Sequence, residues 1–170
     1  MRTSLSNLTA RTTACALTAL AGLSVTAIIV SRPAHAENAV ASGTTPAGRA
    51  AIASRRAIFL LIGNSFRPVA EMLRGPVPPQ ANLAKYANRV AQLADFLPEA
   101  FPDISNGGET RAKANIWNDR ADFDRLLQQF RDHTGQLTQA ASKHDDAALK
   151  AAATAVAQDC RSCHEHYRSE

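Results

Sequence analysis

The sequence predicts an all-α fold built as a bundle of four helices, and three observations support this. In four separate segments, apolar residues recur at alternating intervals of three and four, the spacing of a helix that buries one face. Clusters of proline and glycine separate these segments. No segment shows the apolar–polar alternation of a half-buried strand. Four such helices can bury their apolar faces in one common core.

The chain opens with a segment typical of an export signal. Two arginines form a basic start, residues 12–30 are apolar or small, and Ala34-His35-Ala36 has the form of a cleavage site. A membrane-anchoring helix is the alternative, but the threonines and serines in the apolar run and the cleavage sequence favour export. We therefore expect residues 1–36 to be removed as a signal peptide. Residues 37–170 then form one periplasmic domain with no membrane span.

Removal of this segment changes the charge and the cysteine count. Without Arg2, Arg11 and Arg32 the chain has 16 basic and 15 acidic residues, a net charge of +1. Such a balance does not indicate a nucleic-acid partner. Cys15 also lies in the removed segment, so two cysteines remain.

The first helix is expected to begin near Pro46, since a proline is tolerated in a first helical turn, and to run to about Leu73. Its apolar stripe comprises Ile52, Phe59, Ile62, Phe66, Val69 and Leu73. The stripe has one polar interruption, at Arg55. The proline-rich run at residues 75–79 then breaks the chain.

Three further stripes predict the remaining helices. The second comprises Leu83, Ala87, Val90, Ala94 and Leu97. A long connection at residues 98–116 separates it from the third, which comprises Phe123, Leu126, Phe130, Leu137 and Ala141. The fourth helix follows an N-cap candidate near Asp145. Its stripe comprises Leu149, Ala152, Val156, Cys160, Cys163 and Tyr167.

The fourth helix carries the motif C-x-x-C-H at residues 160–164. In c-type haem attachment, the two thiols bind the haem vinyl groups as thioethers and the imidazole binds the iron. Helical positions three and four apart share one side, so Cys160, Cys163 and His164 can reach one haem edge. We therefore predict one covalent haem c inside the bundle, with His164 as iron ligand.

Two other chemistries use paired cysteines. A redox dithiol usually lies at a helix start after a strand, and a zinc site needs about four ligands. This motif lies late in an alanine-rich helical segment, and His133, His144 and His166 supply no second ligand pair. Haem attachment is favoured, with a disulfide or a metal site as the alternative.

The side chain facing the iron opposite His164 decides the chemistry. The remaining candidates for strong iron binding are Met72, His133, His144 and His166. Phe59 lies on the core face where the first helix would meet the haem, and Met72 is thirteen residues further, about 20 Å along a helix. His133 and His144 are expected to face solvent. We therefore predict an apolar far side without a second protein ligand.

Arg55 interrupts a core stripe, and a buried charge needs a partner. A haem supplies two propionates, and arginine pairs well with carboxylates. We therefore expect Arg55 to contact a propionate. The alternative is an arginine that extends along the bundle end into solvent.

Together these features resemble the cytochrome c′ family, the class II cytochromes c. The resemblance rests on the late C-x-x-C-H followed by Tyr167-Arg168 and on Arg55 with Phe59 four residues later. The Gly75-x-x-Pro78 break and Ile116-Trp117-x-Asp119 before the third helix add to it. Class I cytochromes c carry the motif early and a methionine ligand late, so they fit poorly.

The resemblance implies an antiparallel up-and-down four-helix bundle and a five-coordinate, high-spin haem with a crowded distal face. Phe59 stands at the distal gate, where leucine is common, and Ile62 stands where a methionine is frequent. Arg168 is expected near the proximal histidine. The implied cofactor-binding residues are Cys160, Cys163, Arg55, Phe59, Ile62, Tyr167 and Arg168, with His164 on the iron.

Members of this family bind NO and CO and often form homodimers through the first two helices. A kink at Pro68 could disturb that dimer surface. We therefore expect a binding protein that captures NO, with possible electron transfer to a redox partner protein. A low-spin electron carrier is the alternative, but it needs a methionine ligand from the first helix. A peroxidase-like enzyme would need a distal acid–base group.

Overall fold

The structure is a computed structural model that describes residues 42–75 and 80–170. The predicted signal peptide and most of the proline-rich break, residues 76–79, lie outside the described residues. The described helices are α1 (Pro46–Glu71), α2 (Gln80–Ala94), α3 (Asn115–Asn118), α4 (Arg120–Lys143) and α5 (Asp146–Tyr167). Three 3-10 turns accompany them, at Ser42–Thr44, Pro98–Ala100 and Asp103–Ser105.

The four long helices α1, α2, α4 and α5 form the bundle. Each packs against its neighbours in the order α1–α2–α4–α5, and α5 also contacts α1. The described residues contain no β-strand, only an isolated antiparallel bridge between Ala112 and Arg168. The all-α four-helix prediction is confirmed. No helix of this described part has the length and apolarity needed to cross a membrane.

Capping side chains fix where α1 and α5 begin. The hydroxyl of Thr45 accepts a hydrogen bond from the Gly48 N–H at 3.0 Å, and the Asp145 carboxylate accepts one from the Ala148 N–H at 2.9 Å. The predicted N-cap near Asp145 is therefore confirmed. α1 continues beyond Pro68 to Glu71, although the proline lacks the N–H that would bond the preceding turn.

The predicted stripes of α1 and α4 each contain one wrong position. Leu73 is 37% exposed and Met72 is buried in its place. The buried positions Ile62, Ser65, Val69 and Met72 keep intervals of three and four, so the buried face of α1 passes through Met72, and Leu73 lies beside it. On α4 the fully buried residue is Leu127, and Leu126 is only half-buried. Every predicted position of the second stripe is buried.

The interval between Phe130 and Leu137 is filled by Thr134, which is 1% exposed. Its hydroxyl donates to the Arg131 carbonyl at 2.8 Å, so the polar atom has a partner within the helix. With Thr134 and Leu127 included, the buried positions of α4 keep a regular alternation of four and three.

Candidate haem-binding site

A cavity of about 330 Å³ lies between α1, the connection before α4 and the C-terminal end of α5. This volume is within the range of small-molecule and cofactor sites. The cavity wall includes six of the predicted site residues: Arg55, Phe59, Cys163, His164, Tyr167 and Arg168. Cys160 is half-buried one helical turn before Cys163 and packs against the core. Ile62 is a core residue, 5% exposed, and does not line the cavity.

The two thiols of the motif are free and half-buried on α5. Burial raises the pKa of both Cys160 and Cys163 to about 11, and the negative charge of Asp159 adds to the rise. Both cysteines are therefore protonated at neutral pH. A redox dithiol works through a thiolate, so this environment does not favour that alternative.

The imidazole of His164 lies one residue beyond Cys163, beside Arg168. Its Nδ1 is 3.3 Å from a guanidinium nitrogen of Arg168. Burial lowers the pKa of His164, and the positive charges of Arg168 and Arg111 lower it further. The ring is thus kept in the neutral form that binds metals.

Arg55 is 4% exposed and is held by the connection before α4. Its guanidinium donates to Ser105 Oγ and Thr110 Oγ1, each at 2.8 Å, and to the Ala100 carbonyl at 3.3 Å. It also lies over the Phe101 ring, 4.8 Å from the centroid. Arg55 is therefore buried rather than extended into solvent.

The contacts of Arg55 are all neutral. Its guanidinium pairs with no carboxylate in the described part of the chain, and burial, followed by the charge of Arg56, lowers its pKa. A buried cation without an anion is costly. A wall that combines such a cation with a thiol and a neutral imidazole fits a haem, which would add two carboxylates to the site.

Phe59 is half-buried on the α1 side of the cavity and begins a series of aromatic contacts. Its ring meets Phe101 at a centroid distance of 6.1 Å. Phe101 meets Phe123 at 4.7 Å, and Phe123 meets Tyr167 at 5.1 Å. Sequence reasoning missed Phe101 as a site residue, because it lies in an irregular connection where no periodicity marks the core face.

Tyr167 joins the end of α5 to the first turn of α4. It is 5% exposed, and its hydroxyl donates to Asp122 Oδ2 at 2.8 Å. Burial and the charge of Asp122 raise the pKa of Tyr167 to about 12. The hydrogen bonds from Arg125, and then from Tyr167, lower the pKa of Asp122.

The other candidate iron ligands lie away from the cavity wall. Met72 is 1% exposed within the core and does not line the cavity. The prediction that His133 faces solvent holds only in part, because its side chain is 27% exposed and its Nδ1 lies 2.6 Å from the buried carboxylate of Asp159. His144 is exposed in the left-handed turn after α4, as expected. Nδ1 of His166 bonds the Ser162 carbonyl at 2.7 Å.

The zinc alternative also lacks support. Within residues 42–75 and 80–170 no group of three or more His, Cys, Asp or Glu side chains is placed to hold a metal ion. On the described cavity wall His164 is the histidine available to iron, because the thiol of Cys163 is protonated and the Tyr167 hydroxyl is bonded to Asp122.

Comparisons with known proteins agree with the architecture and the motif. The family model for cytochrome C′ matches residues 50–168. A cytochrome c′ of Rhodopseudomonas palustris is 36% identical over 131 residues, which cover 76% of this chain and 88% of the relative. The structure of cytochrome c prime from Shewanella frigidimarina superposes with a TM-score of 0.69 at 34% identity, covering 72% of this chain and 97% of that one.

A second solved structure is a nitric oxide complex. It belongs to a variant of cytochrome c prime from Alcaligenes xylosoxidans. It superposes with a TM-score of 0.67 at 27% identity, covering 72% of this chain and 97% of that one.

Proposed function

The chain belongs to the cytochrome c′ family of c-type haem proteins, and from this premise we propose that it binds NO and CO at one five-coordinate haem. The haem supplies an iron atom that takes a diatomic gas as ligand. The residues of the chain attach the haem, orient it and restrict what reaches the iron.

Attachment is assigned to the C-terminal part of α5. Cys160 and Cys163 would form the two thioethers, and His164 would bind the iron from the same side. The chain has one C-x-x-C-H motif, which supports one haem. The burial of both thiols and the neutral imidazole beside them support these roles.

Orientation is assigned chiefly to Arg55. Its guanidinium is buried, lines the cavity and has only neutral partners, so a haem propionate would supply the missing anion. Ser105 and Thr110 hold the guanidinium in place from the connection. Arg168, beside His164, would act on the proximal side.

The observation that carries the proposal is the asymmetry of the cavity wall. Among the described wall residues, Cys163 would be used for attachment and the Tyr167 hydroxyl is bonded to Asp122, which leaves His164 as the iron ligand, and α1 contributes the apolar ring of Phe59. A small neutral gas can enter beside the Phe59 ring, and a larger ligand would clash with that ring. The low-spin alternative needs a methionine opposite His164, and Met72 is buried in the core instead.

NO capture is the role we propose, with electron transfer to a partner protein as a possible second use. The described wall has no second histidine for acid–base catalysis, and the guanidinium groups of Arg55 and Arg56 both donate to the connection before α4, so binding is favoured over peroxidase chemistry. We place the protein in the periplasm, on the basis of the predicted cleavage after Ala36.

A homodimer through the first two helices is part of the proposal. Leu60 on α1 is 64% exposed but lines the cavity, whereas Leu61 is 50% exposed outside the cavity wall and is an apolar side chain that a second copy could cover. Sedimentation at several concentrations tests the dimer, and a monomer throughout would remove this part of the proposal.

Absorption spectra of the ferric and ferrous protein, with and without NO and CO, test the gas-binding proposal. High-spin spectra in both states and a ferrous spectrum that shifts with each gas are expected. A low-spin ferrous spectrum unaffected by CO would overturn it. Acidic organic extraction tests attachment separately, because a thioether-bound haem stays with the denatured chain.

A further inference from the structure

Asp159 is a deeply buried carboxylate directly before the first cysteine of the motif. It lies on α5 and is 4% exposed, which is rare for an acidic side chain without partners. Two side chains of α4 hold it. Gln129 Nε2 donates to Oδ1 at 2.6 Å, and His133 Nδ1 lies 2.6 Å from Oδ2. These contacts fix the carboxylate between α4 and the haem-binding segment.

No permanently charged cation neutralises this carboxylate. In the described ranges, Asp159 forms its ion-pair contact with His133, and no lysine or arginine pairs with it. The three arginine–aspartate pairs lie elsewhere, with partly or largely exposed side chains. The field of a buried charge is weakly screened, so it acts further than a surface charge does.

Asp159 directly precedes Cys160 and lies four positions before Cys163, which places it on the same face of α5 as Cys163. After burial, the charge of Asp159 is also the next cause that raises the pKa of the Cys160 thiol. The field of Asp159 therefore reaches both attachment sulfurs. These sulfurs are the atoms through which the haem would be joined to α5. The charge of the haem would therefore interact with the charge of the Asp159 carboxylate.

We propose that Asp159 tunes the haem by stabilising its oxidised state, and so lowers its reduction potential. Ferric haem carries one more positive charge than ferrous haem, and a nearby fixed negative charge stabilises the more positive state. The inference rests on the proposed haem attachment at Cys160 and Cys163. It is independent of whether the iron binds NO or CO.

The test measures the one-electron midpoint potential of the haem-loaded protein by spectroelectrochemistry, with the electrode as electron source. Asp159→Asn removes the charge and keeps the side-chain shape. At fixed potential we expect the ferrous-to-ferric ratio to rise at least about threefold, or about 28 mV at 59 mV per tenfold for one electron. Asp132→Asn is the matched control, since it removes one exposed carboxylate from α4 and should shift the ratio much less.

A second variant covers the case in which Asp159→Asn does not fold. Gln129→Lys keeps the carboxylate and places a cation against it, so the potential should again rise. Gln128→Lys adds the same charge at an exposed neighbouring position and serves as its control. The proposal is wrong if neither Asp159→Asn nor Gln129→Lys exceeds its control. CO spectra of the same samples report on the gas-binding proposal, so the two failures are distinguishable.

Discussion

The ring of Phe59 packs edge-on against the ring of Phe101, with 6.1 Å between their centroids and 67° between their planes. Phe101 is itself held firmly, because it is 4% exposed, meets Phe123 at 4.7 Å and lies under the guanidinium of Arg55. It cannot retreat without displacing these neighbours. Two aromatic rings therefore limit the space on the α1 side of the cavity. Phe101 is fixed by its neighbours, and Phe59 is only half-buried and has more room to move.

Replacing Phe59 with Leu should open the site to gases. Removing ring atoms while Phe101 stays in place relieves steric contact with a ligand, and about 1 kcal/mol of relief corresponds to a three- to tenfold gain in affinity. We expect CO affinity of the ferrous protein to rise by roughly that factor, measured by titration and flash photolysis. Phe66→Leu, on the same helix but away from the cavity wall, should leave CO binding unchanged. Equal effects of the two changes would contradict a gating role for Phe59.

Replacing Phe59 with Met should convert the haem to six-coordination. A thioether placed at this wall position can bind the iron opposite His164. We expect a low-spin ferrous spectrum and weaker CO binding. The matched control is Ile62→Met, since Ile62 lies in the core and not on the wall. A low-spin spectrum in the Ile62 variant, and not in the Phe59 variant, would show that the helix meets the haem at another position.

The helical elements follow from periodic patterns, and the haem-binding motif follows from local spacing, so both can be predicted from sequence. The environment of Arg55 could not. Its partners Ala100, Ser105 and Thr110 lie 45 to 55 residues away along the chain, in a connection without a repeating pattern. The apolar stripe of α1 shows that Arg55 is a polar residue at a core position. Only the fold shows which atoms accept its hydrogen bonds.

The pairing of Asp159 with His133 could not be predicted from the sequence for the same reason. Each residue is polar and lies on a helix with many other polar residues, so neither pattern nor spacing sets it apart. Their contact depends on the rotation of α4 against α5. The one-position error at Leu126 shows that the apolar stripe does not determine this rotation well enough.

Replacing Arg55 with Leu should both destabilise the fold and loosen the haem. Three hydrogen bonds are lost, and buried acceptors in the connection lose their donor, which costs about 2–4 kcal/mol in total. Denaturant unfolding measures the first effect, and visible spectra with haem retention measure the second. Arg67→Leu is the control, because that arginine is exposed on α1 away from the cavity wall, and its guanidinium donates to Asn64 Oδ1 at 3.3 Å. Unchanged spectra and full haem retention in the Arg55 variant would count against a propionate contact.

The Tyr167–Asp122 hydrogen bond should make stability depend on alkaline pH. Folding raises the pKa of Tyr167 from its ordinary value near 10 to about 12. The folded state therefore keeps the proton in a range where the unfolded state releases it. The contribution of protonated Tyr167 to the free energy of unfolding is complete below pH ~10 and is lost as the pH rises towards 12. Tyr167→Phe should flatten the decline of unfolding free energy in that window, and Tyr86→Phe should keep the wild-type slope. Parallel curves for all three proteins would refute the linkage.

The close approach of Gly43 to the connection should make this position intolerant of any side chain. A Cβ atom at Gly43 would lie 2.0 Å from the Gly107 carbonyl oxygen, and the Gly43 N–H donates to the Asn106 carbonyl at 2.9 Å. Gly43→Ala must therefore displace the segment that carries two partners of Arg55. We expect a loss of at least about 1 kcal/mol in unfolding free energy.

Gly63→Ala is the matched control, because a Cβ there meets nothing within 4 Å in the middle of α1. It should stabilise the protein by about 0.5–1 kcal/mol, since alanine favours a helix over glycine. If both changes have the same sign, Gly43 does not limit the packing of this connection.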